Sequence, residues 1–137
     1  MRIQLKKFIE SMKPNSIAII PAAHEVTRSY DSEFKFRQDS DFWYLTGFPE
    51  PDAIAVIDPS SKKPYTLYVR PRDPLMETWY GRRQGVEGAV KNYGADRAFS
   101  VERFGADMAK LLDGKDTLYY RFSVDRNLDS SILDYLA

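Results

Sequence analysis

FRQDSDFWYLTGFPEPD, residues 36–52, is the stretch on which the reading of this chain turns. It carries five aromatic side chains around a polar Asp39-Ser40-Asp41. This is the pattern of a short capped helix. Asp39 or Ser40 can accept hydrogen bonds from the first free N–H groups, and Asp41 falls where the positive helix end favours an acid. Phe42, Trp43, Tyr44 and Leu45 form the body, and Gly47 supplies the left-handed residue that stops it. Phe48 then leads into Pro49-Glu50-Pro51-Asp52, a turn with two φ angles fixed by proline. Such a unit places side chains well. It does no chemistry by itself.

On either side the chain alternates between two periodicities. Leu5, Phe8, Ile9 and Met12 recur at helical spacing, predicting an amphipathic helix over residues 2–12, stopped by Pro14. Residues 16–22, SIAIIPA, read as a strand covered on both faces. Residues 23–33 form a polar connection, and Phe34 and Phe36 alternate with charged neighbours in a brief extended piece. Residues 53–57 and 65–69, separated by turn residues, predict an antiparallel hairpin. Asp73-Pro74 has the order of a helix start, and residues 85–93 read as a helix closed by Gly94. Residues 97–100 make a short strand, with Ser100 capping a helix striped by Phe104, Met108, Leu111 and Leu112. Residues 117–121 are a last strand. Residues 127–137 begin a helix with Leu128, Ile132 and Tyr135 or Leu136 inward, and the absence of a stop signal suggests a cut chain. Strands alternating with helices, plus one hairpin, predict an α/β domain with a mixed sheet and helices on both faces.

The composition narrows the function. At 137 residues the chain is one domain, able to bury roughly two-thirds of its unfolded surface without a staple. Twenty basic residues balance twenty acidic ones, so no global field draws in nucleic acid or membrane. No Cys is present, which fits a reducing compartment and removes thiol chemistry. No apolar run approaches the roughly 20 residues of a membrane span, and the charged start MRIQLKKFIESM lacks a signal peptide's apolar block. A cytoplasmic protein is the expectation.

Chemistry does not assemble from these residues. His24 is the only histidine, so no two-His metal set exists, and it reads as a hydrogen-bonded loop residue. Asp31, Glu33, Asp39, Asp41, Glu50 and Asp52 are close in sequence, and they read as caps, turn tips and solvated acids. No Gly-x-Ser-x-Gly elbow or phosphate-cradling Gly loop occurs. Lys6-Lys7, Lys62-Lys63 and Arg82-Arg83 read as solvated pairs. Trp79-Tyr80-Gly81-Arg82-Arg83 is the best candidate for contact work, because aromatic and Arg residues dominate interfaces. A core Trp beside a surface Arg pair is the competing reading, and the same choice stands for Trp43 and Tyr44.

One resemblance ties these pieces together. Arg37, Gln38, Ser40, Phe42, Tyr44, Gly47, Phe48, Glu50 and Pro51 resemble the signature of the N-terminal domain of metal-dependent Xaa-Pro aminopeptidases (aminopeptidase P). The likeness extends through Ala22-Ala23-His24-Glu25-Val26-Thr27-Arg28-Ser29 and Asp31-Ser32-Glu33, and downstream through Arg72-Asp73 and residues 77–83. It implies a three-layer α/β/α domain with a mixed, ribonuclease H-like sheet, the creatinase/prolidase N-terminal type, over residues 1–137. It further implies that catalysis belongs to a C-terminal pita-bread domain absent from this chain, holding two divalent metal ions, usually manganese. Those metals would lower the pKa of water and polarise the scissile Xaa-Pro carbonyl. This segment alone is expected to be inactive, with no metal of its own. It would pack on the catalytic domain, build contacts in a dimer or tetramer, and restrict access of proline-containing peptides. By motif position Trp79 and Asp31 would reach a neighbouring subunit's substrate site, with Arg82 and Arg83 flanking the contact. A prolidase N-terminal domain and a non-enzymatic peptide- or protein-binding module of the same fold are the rival readings.

Overall fold

A computed structural model describes residues 1–24 and 36–137. Its described elements begin with α1 (Ile3–Ser11), β1 (Ser16–Pro21), α2 (Ser40–Thr46), β2 (Ile54–Ile57), β3 (Tyr65–Val69) and α3 (Pro74–Tyr80). They are followed by α4 (Gly85–Tyr93), β4 (Arg97–Ser100), α5 (Phe104–Leu112), β5 (Thr117–Tyr120) and α6 (Arg126–Leu136). The strand order is β4-β3-β2-β1-β5. β2 pairs antiparallel with β1 and β3, whereas β4 and β5 pair parallel with β3 and β1. The sheet is therefore mixed, as its hairpin and its helix-linked strands require.

Alternation along the strands sorts the core into two halves. Ala18, Ala55, Ile57, Leu67 and Val69 face Leu5 of α1, Phe42 of α2 and Ala89 of α4. Ile17, Ile19, Ile54, Val56 and Tyr68 face Phe104 and Leu112 of α5 and Leu128 and Ile132 of α6. The result is the expected three-layer α/β/α domain. β1 and β2 read as continuous apolar runs because both of their faces are covered.

The aromatic helix forms as its capping residues dictate. The Asp39 carboxylate accepts from the Phe42 N–H at 3.1 Å, and Gly47 ends α2 with φ 65°. A Cβ at Gly47 would also lie 2.4 Å from the Arg2 guanidinium, which donates to the Trp43 carbonyl at 3.0 Å. Phe48 follows in the core, edge-on to both Phe42 (6.4 Å) and Tyr93 (5.0 Å). That geometry suits aromatic quadrupoles and links α2 to α4.

One open choice closes and two expectations need correction. Trp43 and Tyr44 do not enter the core: a two-turn helix has one inward stripe, and Phe42 and Thr46 fill it. Tyr135 and Leu136 are likewise exposed, because Leu128 and Ile132 fill the inward stripe of α6. Ser100 caps a 3-10 turn, Val101–Arg103, which only then leads into α5. The polar connection and Phe34 fall largely among residues 25–35, outside the described residues.

Tyr65 supplies a clean test of packing against hydrogen bonding. Its side chain is fully buried, yet its hydroxyl has no hydrogen-bond partner among the described residues. Burial, reinforced by the Asp96 charge, pushes that hydroxyl's pKa up, so it stays neutral. Tyr65→Phe should be neutral or slightly stabilising, within about 1 kcal/mol. Phe48→Ala, by contrast, should cost about 3–5 kcal/mol. Urea unfolding of the two variants measures both values.

Candidate interaction surface

The chain leaves β3 through Arg70, Pro71 and Arg72 and turns at Asp73. The Asp73 carboxylate accepts from the Met76 N–H at 3.2 Å, and Pro74 occupies the first helical turn, where no N–H is needed. α3 follows, and none of its residues is buried. Trp79 is 77% exposed, Leu75 73% and Tyr80 71%, so the core-Trp reading fails. Isolated helices of this length are unstable in water. Something other than core packing must hold it.

That something is Glu77. Its carboxylate accepts from Arg72 Nε at 2.8 Å, from the Asp73 N–H at 2.9 Å and from the Arg83 N–H at 2.7 Å. One side chain thus ties the helix to the segment before it and the turn after it. The Arg83 N–H is the main reason its carboxyl sits below the usual range; burial opposes this, and Arg72 and Asp73 reinforce it. Arg83 is not a solvated partner of Arg82, since its guanidinium donates to the Pro71 carbonyl at 3.1 Å. Arg82 alone stays exposed. Glu50 completes the clamp by accepting from the Gln84 N–H at 2.7 Å and pairing with Arg70 at 3.3 Å. It is a buried acid, against the expectation of a solvated turn tip. Gly85, at φ 68°, lies under the Arg72 side chain, 2.6 Å from where a Cβ would stand.

Gln38 connects this clamp to the aromatic helix. Its amide oxygen accepts from the Ala23 and Asp39 N–H groups, each at 3.0 Å. Its amide nitrogen donates to the carbonyls of Phe48 (3.1 Å) and Glu50 (2.8 Å). Glu50, Glu77 and Gln38 are the residues that sequence reasoning left without a specific role. The signal for Glu50 was its place between two prolines, where its backbone is fixed and its side chain has few directions to go.

Asp31 lies outside the described residues. The segment containing it begins after His24, and His24 is anchored. Its Nδ1 faces the Asp52 carboxylate in a short contact, and its Nε2 lies 3.1 Å from Asp125, the residue that caps α6. Only an imidazolium can donate from both nitrogens. The hydrogen bond to Asp52 raises the His24 pKa, burial opposes it, and Asp125 adds to the rise. His24 is therefore a bonded loop residue, as its isolation in the sequence implied. Asp39 and Asp41 likewise have local roles, one as a cap and the other paired with Arg121. Among the described residues no group of three or more His, Asp or Glu is placed to hold a metal ion.

Comparison with known proteins gives a consistent answer. The family model described as "Aminopeptidase P, N-terminal domain" matches residues 2–119. The Xaa-Pro aminopeptidase of Escherichia coli (strain K12) is 45% identical over 114 residues, covering 82% of this chain and 26% of that protein. That of Haemophilus influenzae is 42% identical over 110 residues, covering 80% and 26%. Among solved structures, Pseudomonas aeruginosa aminopeptidase PepP superposes with TM-score 0.88 at 42% identity, over 96% of this chain and 30% of that one. Zinc-substituted E. coli aminopeptidase P in complex with product gives 0.87 at 39%, over 97% and 31%. The chain thus spans about a quarter of the length of the curated relatives it matches.

Two outcomes follow from the clamps. Glu77→Ala should free α3 and the Gly81–Arg82–Arg83 turn, and tryptic cleavage after Arg82 should quicken at least about tenfold at pH 7 while the far-UV dichroism loses no more than the share of that one short helix. For His24 the raised pKa fixes the sign. Its contribution to stability is fully present below the unfolded value of about 6.5 and is lost as pH rises through the folded value. His24→Gln should flatten the stability profile in that window, as urea midpoints across pH 5.5–8.5 would register.

Proposed function

The chain belongs to the aminopeptidase P N-terminal domain family, and from that premise we propose that it is the non-catalytic N-terminal domain of a metal-dependent Xaa-Pro aminopeptidase. On this reading the whole enzyme removes an N-terminal residue that precedes proline. Two divalent metal ions, manganese in our reading, lie in a C-terminal catalytic domain and supply an activated water. The described residues of this chain offer no cluster that fits that group, and no step passes through them. Their task is to shape access to it in a cytoplasmic homo-oligomer.

The observation that carries the reading is α3. An apolar helix with Leu75, Trp79 and Tyr80 in solvent, yet held rigid by Glu77, is a surface built to be covered. Trp79 with the adjacent Arg82 offers the residue types that dominate binding energy at interfaces. We assign Trp79, Arg82, Arg83 and, in the segment after His24, Asp31 to a contact with a neighbouring subunit at the mouth of its active site. Arg83 acts there by fixing the turn, since its guanidinium is engaged with Pro71. A narrow mouth favours short peptides by exclusion.

The test uses the full-length protein. Trp79→Ala should lower kcat/KM on an Xaa-Pro tripeptide at least about tenfold while leaving the fold intact. Unchanged kinetics and an unchanged sedimentation coefficient would remove the subunit-contact reading. Cleavage of Xaa-Pro dipeptides alone would instead mark a prolidase. Activity that persists after chelation of divalent metals would defeat the metalloenzyme assignment.

A further inference from the structure

The sheet face that holds α5 and α6 is not fully covered at its β4 edge. Thr66 pairs with Arg97 and Tyr68 with Phe99, which sets these four side chains on one face of the two strands. Beside them rises α5, and between strand and helix lies a cleft of about 200 Å³ lined by Tyr68, Arg97, Phe99, Arg103, Asp107 and Lys110. Three cations meet one carboxylate there, in a chain whose total charge is zero.

The two arginines are held in the same manner. Arg97 donates through Nε to the Thr66 hydroxyl at 3.0 Å, with its guanidinium carbon 5.9 Å from the Phe99 ring centre. Arg103 pairs through Nε with Asp107 at 2.9 Å, and its guanidinium carbon lies 4.3 Å from the same ring. Each guanidinium therefore uses its inner nitrogen for a protein partner and rests against one aromatic ring. The terminal nitrogens of both make no hydrogen bond to the described residues. The Asp107 oxygen that meets Arg103 also accepts from Tyr68 Oη at 2.8 Å. Lys110 stands about one turn further along α5 from Asp107 and has no ion pair among the described residues. Asp96 and Glu102, the acids next in sequence to Arg97 and Arg103, do not line the cleft, and the Asp96 carboxylate accepts from the Tyr65 N–H at 2.9 Å.

We propose that this cleft binds an oxyanion, of the phosphate or carboxylate class, through the terminal nitrogens of Arg97 and Arg103 and the Lys110 ammonium. Planar guanidinium forks held in place match the oxygens of such a group, and little side-chain freedom remains to be lost on binding. The cleft lies below the roughly 300–1,000 Å³ of whole small-molecule sites, so it takes one anionic group and not an entire nucleotide. Three converging cations repel one another, and a bound anion relieves that repulsion. The inference is independent of the contact assigned to α3.

The test is a titration of the folded protein followed by ¹⁵N NMR at constant ionic strength. One arm uses inorganic phosphate, a second uses succinate, and a third replaces both with chloride. Saturable shifts at the Phe99 and Asp107 amides and at Arg103 Nε are expected in the first or second arm and not in the third. Tighter binding of phosphate identifies a phosphate-type ligand; tighter binding of succinate identifies an acidic peptide side chain. Arg103→Gln and Lys110→Gln, both at exposed positions, should each weaken binding at least about tenfold. Non-saturating shifts equal to those from chloride, or binding that survives the Arg97→Gln, Arg103→Gln double substitution, would overturn the proposal.

Discussion

A single side-chain amide, that of Gln38, holds the architecture of one end of this molecule. Its oxygen and nitrogen reach four backbone groups drawn from the end of β1, the cap of α2 and the turn at 48–50. A half-buried backbone polar group left without a partner costs about as much as a lost hydrogen bond, so segments that meet away from a sheet need such a ligand. Gln38 supplies donors and acceptors in the two-and-two arrangement that no charged side chain can offer. Because Gln38 fixes Glu50 through its carbonyl, the Glu50 carboxylate reaches Gln84 and Arg70 in a defined position. The aromatic helix, the proline turn and the segment after α3 are thereby one mechanical unit.

That unit explains how an apolar helix survives in solvent. α3 buries none of its residues, and its order comes from both ends: Asp73 and Pro74 at the start, Glu77 and its three donors across the finish. On the proposed reading, this order serves a surface that meets a neighbouring subunit. Presenting Trp79 and Tyr80 on a fixed frame lowers the ordering cost of an association, since those side chains have few torsions left to freeze. The same logic applies to Arg97 and Arg103, each held by its inner nitrogen against Phe99.

Charge in this chain is organised locally. The overall balance of twenty against twenty hides an imidazole between two carboxylates at one place and three cations around one carboxylate at another. Composition speaks to the far field, where screening removes most of the effect within about 10 Å. Sites are decided at shorter range.

Much of the fold was legible in the chain of residues alone. The strands, the hairpin, the caps at Asp39 and Asp73 and the stops at Gly47 and Gly94 all follow from rules that act within a few residues, where sequence neighbours are also neighbours in space. The family resemblance was legible for the same reason, since its motifs are runs of local pattern. What the sequence could not decide was direction and pairing. Whether Trp43 and Trp79 turn inward depends on how much of a helix the sheet covers, and the partners of Glu50 and His24 come from segments up to about a hundred residues away. Those choices belong to the tertiary structure, because burial and hydrogen-bond satisfaction are settled only when distant segments have already met.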